Sequence, residues 1–227
     1  MNRYRHEYKY LIDARTESIL KIRASGVLMP DPHAREDGSY FIRSLYFDDR
    51  QDSCLRENEA GTDPRSKFRI RYYNNDPSRL QLEKKSKTRG MTLKESCSIT
   101  REECQCFMAG QIPAITPEMP SMKQSLFSEM AVRALEPKVI VSYERIPFVY
   151  PGGNVRVTFD RMLSSSTDIP AFLDGNYVTR PVFTLGNSIL EVKWDEALPL
   201  HIKDVLKLDW LQWTAFSKYA MCRRYHL

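Results

Sequence analysis

Residues 67–87 read KFRIRYYNNDPSRLQLEKKSK, two alternating runs joined by a polar turn. In the first arm Arg69 and Arg71 alternate with Phe68, Ile70 and Tyr72; in the second Glu83, Lys85 and Lys87 alternate with Leu80, Leu82 and Lys84. Successive residues of a strand point to opposite faces. The stretch therefore predicts a hairpin with Arg69, Arg71, Glu83, Lys85 and Lys87 on one face and a largely apolar second face suited to packing. A solvated strand face usually mixes signs, because like charges on neighbouring strands repel. A row this cationic calls for an anion.

The same alternation recurs along the chain. Residues 3–12 (RYRHEYKYLI) place Arg3, Arg5, Glu7 and Lys9 on one face against Tyr4, His6, Tyr8 and Tyr10. Asp13 and Gly26 bracket a helical ARTESILKIRAS as N-cap and stop. After a polar loop at 31–39, the aromatic and branched SYFIRSLYFD of 39–48 reads as a strand. Residues 58–63 form a turn into the central hairpin. Residues 91–99 make a further strand with Thr92, Lys94, Ser96 and Ser98 on its polar side, and Thr100 with Glu103 forms a capping box for a helix to about Ala109. A proline-containing connector at 114–120 precedes helical spacing over 122–135. Strands return at 138–149 (Val139, Val141, Tyr143 and Arg145 against Ile140, Ser142, Glu144 and Ile146), 154–163 (Arg156, Thr158 and Asp160 against Val155, Val157 and Phe159) and 188–194 (Glu191 and Lys193 against Leu190 and Val192). The end of the chain reads as helical around 202–206 and after Ser217, which suits a cap. About eight strands with charges at alternate positions make sense if the sheet closes on itself, charged faces inward, as a lined tunnel covered outside by helices.

Composition sets the limits. With 227 residues, 42% hydrophobic and 28% charged, the chain is expected to be a soluble globular protein forming one domain over 1–227. A net charge of +5 and a pI near 8.9 are too mild to argue for nucleic acid. No apolar run is long enough to span a bilayer and the N-terminal residues lack an apolar signal core, so the expected location is cytoplasmic. Five cysteines without a CxxC pair read as free thiols; Cys104 and Cys106 point to different sides of a helix, which disfavours zinc. The four histidines do not cluster, and no GxxxxGK[ST] loop occurs, which excludes ordinary nucleotide-kinase architecture.

Several motifs in order carry a family likeness: Glu7-x-Lys9, SLYFD at 44–48, Arg69-x-Arg71, Glu83-x-Lys85, YERIPF around Arg145, VRVTFD around Arg156, LEVK around Glu191 and FSKY around Lys218. Together they resemble the polyphosphate polymerase (VTC, vacuolar transporter chaperone) domain of the triphosphate tunnel metalloenzyme superfamily, over nearly the whole length. The resemblance implies an α+β fold: a closed eight-stranded antiparallel β-barrel with helices outside. It implies phosphate ligands at Lys9, Arg69, Arg71, Lys85, Arg145, Arg156 and Lys218, with Lys94, Lys193 and Ser217 as further substrate contacts. Glu191 matches the family's metal-binding glutamate, and Glu83 and Glu7 are either further ligands to Mn2+ or Mg2+ or partners of nearby cations. The implied activity transfers the terminal phosphate of ATP onto a growing polyphosphate. Pyrophosphate and tripolyphosphate are further expected ligands, and any coupling to a membrane is expected from a separate partner.

The superfamily's hydrolytic members often begin E-x-E-x-K, where this chain has Arg5-x-Glu7-x-Lys9. Losing that carboxylate should weaken a second metal site able to activate water, which tilts the reading from tri- or polyphosphatase towards transfer. A polyphosphate-binding module without turnover stays open. The tryptophans and tyrosines read as outer-face packing. Aromatics and cations then fall on opposite strand faces, which argues against a single-stranded nucleic-acid groove. Lys84, Lys87 and Arg89 read as rim or solvent charges.

Overall fold

The computed structural model describes residues 4–183 and 186–226, so Arg3 lies outside the described residues. In chain order the elements are β1 (His6–Ile12), α1 (Ala14–Ser25), β2 (Met29–Pro30), β3 (Tyr40–Asp48), α2 (Ser53–Glu59), β4 (Arg65–Tyr73), β5 (Asp76–Thr88), β6 (Met91–Ile99), α3 (Arg101–Met108), α4 (Ser121–Val132), β7 (Glu136–Tyr150), β8 (Val155–Ser166), β9 (Arg180–Pro181), β10 (Ser188–Trp194), α5 (Leu200–Val205) and α6 (Lys218–Arg224).

Local chemistry accounts for many of the boundaries. Asp13 Oδ1 accepts from the Thr16 amide at 2.7 Å and caps α1. Thr100 and Glu103 form the expected reciprocal box at the start of α3. The turn between β4 and β5 is Asn74-Asn75, both with positive φ, as a tight two-residue hairpin turn requires. Helix α2 is absent from the sequence reading. Its Cys54 and Leu55 amides are capped by Asp48, at 2.8 and 3.0 Å. Asp49 also accepts from the Ser53 amide at 3.0 Å, while Asp52, at the N-cap position itself, makes no side-chain cap bond, so the capping comes from residues ahead of the N-cap position.

Eight strands pair antiparallel in the order β1-β10-β8-β7-β3-β4-β5-β6, with β2 added beside β7 and β9 beside β8. The sheet curls until its two edges meet at Arg5 and Thr92, whose amides and carbonyls exchange hydrogen bonds of 3.0 and 3.1 Å. One bridge joins β1 to β6 rather than a full ladder, so the expected fully closed barrel is a curled sheet pinned at its seam.

Apolar residues on the convex face pack under helices. Phe68, Ile70 and Leu82 meet Phe107 of α3 and Phe127 and Met130 of α4. Tyr10, Val157 and Leu190 meet Leu20 of α1 and Ile202 of α5. Helix α6 is different. Its Tyr219 and Cys222 share a cluster with Tyr46, Val139, Val141 and Tyr143, residues of the concave face, so this helix fills one side of the curl from within. Among the described residues, no helix is long and apolar enough to cross a membrane.

Candidate functional site

Register brings the charged rows together. Arg69 lies opposite Glu83, Lys67 opposite Lys85 and Lys85 opposite Lys94. Lys9 lies opposite Glu191, Glu7 opposite Lys193, and Arg145 opposite Asp160. The central cavity inside the curl is lined by Lys9, Lys67, Arg69, Arg71, Lys85, Arg145, Lys193, Ser217 and Lys218, with Glu191, Tyr46, Tyr143 and Tyr219.

Each guanidinium is held by a fixed partner. Arg69 Nε donates to Glu83 at 2.7 Å and its Nη1 to the Tyr46 hydroxyl at 2.9 Å. Arg71 donates to Ser44 Oγ at 3.0 Å and to the Tyr143 hydroxyl at 3.1 Å. Arg145 donates twice to Asp160, at 2.6 and 2.7 Å. Lys218 Nζ sits 2.5 Å from the same carboxylate and 3.7 Å from Glu191. Glu7 bridges Lys9 at 2.6 Å and Lys85 at 2.7 Å, and Lys193 is ion-paired to Glu191.

Three lysines are poorly compensated. Burial pushes Lys67 well below the ordinary lysine range, and Lys9 and Lys85 push it further. Burial lowers Lys85 to about 7 against only partial relief from Glu7, and lowers Lys193 despite Glu191. Burial again opposes the charge on Lys9 and Lys218, but both move up, because Glu7 and Glu191 around Lys9, and Asp160 and Glu191 around Lys218, together outweigh it. Burial alone would raise Glu191, but Lys193, Lys218, Lys9 and Arg145 hold it well below the carboxylate range, so it is ionised.

Nine of the residues expected from sequence line the central cavity: Lys9, Arg69, Arg71, Lys85, Arg145, Lys193, Ser217, Lys218 and Glu191. Glu7, Lys94 and Arg156 line the wider mouth that opens from it beside Arg5 and Asp195. Arg156 is ion-paired there to Asp31 and donates to the Tyr40 hydroxyl at 2.7 Å. Glu83 lies behind Arg69, paired with it and with Lys94 at 3.1 Å. Ser217 does cap α6, accepting from the Ala220 amide at 3.3 Å, and also accepts from Lys67 at 3.1 Å.

Sequence reasoning missed Lys67, although it continues the alternation of Arg69 and Arg71. It also passed over Asp160, the last residue of VRVTFD, which orients Arg145 and Lys218. The outer-face reading of the aromatics is corrected in two ways. Tyr40, Tyr46 and Tyr143 face inward beside arginines. Trp210 and Trp213 are 86% and 55% exposed instead of packed, while Trp194 is buried as expected. Tyr46 and Tyr143 are themselves buried, so sharing a face with the cations does not make them stacking platforms for bases.

Among the described residues no group of three or more His, Cys, Asp or Glu side chains converges on one point. The donor set beside Glu191 nevertheless suits a hard divalent ion. Thr158 lies opposite Glu191 on the next strand, and its buried hydroxyl has no hydrogen-bond partner. A carboxylate plus a hydroxyl is a sparse set of oxygens, of the kind that Mg2+ or Mn2+ completes with phosphate oxygens and water.

A curled antiparallel sheet with guanidinium and ammonium groups turned inward defines a cation-lined tunnel. The chain belongs to the VTC domain family, whose profile matches residues 4–226. No curated protein sequence matches it. Among solved structures, a candidate adenylyl cyclase from Hippeastrum, reported with a dominant triphosphatase activity, superposes with a TM-score of 0.56 at 15% identity, covering 100% of this chain and 97% of that one. A candidate adenylate cyclase from Bacillus halodurans gives 0.51 at 16% identity, covering 92% and 88%. At these identities the likeness is one of fold.

Proposed function

We propose that the protein is a polyphosphate polymerase, transferring the terminal phosphate of ATP onto a polyphosphate chain held in the tunnel. The observation that carries this reading is the convergence of cations from β1, β4, β5, β7, β10 and α6 on one cavity, in a chain of the VTC family. Lys9, Arg69, Arg71, Lys85, Arg145, Lys193 and Lys218 hold phosphate oxygens, with Arg156 and Lys94 at the mouth. Arginine forks grip two oxygens each and lysines act as point charges.

The terminal oxygen of the polyphosphate attacks the γ-phosphorus of ATP, the bond from that phosphorus to the bridging oxygen of ADP breaks, and ADP leaves. Phosphoryl transfer needs alignment and charge neutralisation more than covalent help. Arg69, Arg71 and Arg145 enter pre-oriented by Glu83, Tyr46, Ser44, Tyr143 and Asp160, so little reorganisation opposes the transfer. Glu191, with Thr158, would hold Mn2+ or Mg2+, which neutralises phosphate charge when bound.

The side chain of Arg5, which stands where many hydrolytic or cyclising members of the wider superfamily have a carboxylate, is ion-paired to Asp195 at 2.8 Å. It therefore offers no ligand for a second, water-activating ion, which supports transfer over hydrolysis. The protein is expected to work in the cytoplasm where ATP is supplied, with any membrane coupling through a separate partner. Incubation with ATP and Mn2+ or Mg2+ should yield a ladder of anionic chains on a gel. Orthophosphate release from tripolyphosphate without a ladder identifies a hydrolase, and binding without turnover identifies a storage or sensing module.

A further inference from the structure

The two mouths of the tunnel differ in charge compensation. At the wider mouth each cation already has a carboxylate: Arg5 pairs with Asp195 at 2.8 Å, Arg156 with Asp31, and Lys94 with Glu83 at 3.1 Å. At the opposite mouth the pattern reverses. Arg65 lies directly across from Lys87 and Lys67 directly across from Lys85, two like-charged cross-strand pairs in succession, in which only Lys85 has a carboxylate partner, Glu7 at 2.7 Å. Such pairs oppose strand pairing unless something neutralises them.

Among the described residues, neither Arg65 nor Lys87 forms an ion pair. Arg65 donates to the Thr62 carbonyl. Asp63, the acid at this rim, accepts from the Arg89 and Gly90 amides, both at 2.9 Å, and its charge reaches Arg65 and Lys87 only through space, without an ion pair to either. Arg65 and Lys87 line a groove that continues from Lys67 and Lys85 of the central cavity, with Trp213 and Thr214 on its other wall. A strand rises about 3.3 Å per residue, so Arg65 stands roughly 7 Å beyond Lys67 along the same row.

We infer that Arg65 and Lys87 form an outer subsite that carries a long phosphate chain beyond the tunnel, so that the polymer passes through this mouth and not the one lined by Arg156. The subsite rests on the reading that the tunnel holds phosphate chains. It acts on chain length: a short polyphosphate is held wholly by the inner cations, and a long one gains two more.

Isothermal titration of the intact protein with tripolyphosphate and with long-chain polyphosphate, in chelator so that nothing turns over, tests this. In Arg65→Gln/Lys87→Gln the long chain should bind at least roughly tenfold more weakly, with its salt dependence shallower by about 0.7 per lost cation. Tripolyphosphate should stay within about twofold of the unmodified protein, because those cations do not reach it. Equal losses for both ligands, or no loss for either, overturn the subsite. Arg5→Gln at the other mouth should keep the two affinities in their original ratio, and a loss confined to the long chain there places the exit at the wrong end. An unmodified protein that binds neither ligand removes both the subsite and the polymerase reading.

Discussion

The Tyr219 hydroxyl donates a 2.5 Å hydrogen bond to Asp48 Oδ2, joining the start of helix α6 to the end of strand β3. The same carboxylate caps α2 through Cys54 and Leu55. Asp48 is fully buried, so it is a structural clamp rather than a ligand. It sets the helix that delivers Lys218 to the cavity.

Breaking that clamp should be felt in stability before chemistry. Tyr219→Phe should cost about 1 to 2 kcal/mol, and Asp48→Ala more than about 3 kcal/mol because several buried donors lose their acceptor. Urea unfolding measures both. A neutral Asp48→Ala would show that α6 is anchored by packing alone.

Asp160 is the corresponding clamp for charge. Asp160→Asn keeps the shape but weakens the hold on Arg145 and Lys218. Synthesis should fall by roughly a hundredfold while tripolyphosphate still binds, since misplacement costs the transition state more than the ground state. Parallel loss of binding and rate would make Asp160 a fold residue only.

Lys67 should destabilise the empty tunnel. Its folded-state value lies below the ordinary 10.5, so between the two the unfolded chain binds more protons and stability rises with pH. Lys85 and Lys193 act with the same sign, while the raised Lys9 and Lys218 titrate above that window. Lys67→Met should raise the melting temperature, flatten the rise in stability above neutral pH, and weaken tripolyphosphate binding roughly tenfold. Denaturant titrations across that pH range, paired with calorimetry, read all three effects; a lower melting temperature would mean that Lys67 is already neutralised.

Glu191→Gln removes the ionised oxygen proposed for the metal. Metal-dependent synthesis should be lost, tripolyphosphate binding in chelator should persist, and the extra affinity that Mn2+ confers on the unmodified protein should vanish. Persistence of that Mn2+ effect in the variant would move the ion elsewhere.

Anions should stabilise the native state by mass action. Tripolyphosphate should raise the melting temperature most, pyrophosphate less and sulfate least, in order of the charge each presents to the cationic row. A flat response to all three would count against an anion site.

The sequence by itself determined the strands, their inward faces and most of the cations, because alternation with period two is a local property: Arg69 and Arg71, or Glu191 and Lys193, can be assigned to a face from their neighbours alone. The family resemblance supplied the expectation that those strands assemble into one antiparallel barrel. Only the tertiary structure decided who stands opposite whom. Asp48 reaching Tyr219, Asp160 gripping Lys218 and the single bridge from Arg5 to Thr92 all join residues remote in the chain, where spacing carries no signal. Alternation alone puts Tyr143 on the Arg145 face, but an aromatic ring suits either face of a strand, and the part played by the Tyr46 and Tyr143 hydroxyls shows only when an arginine from another strand arrives to donate to them.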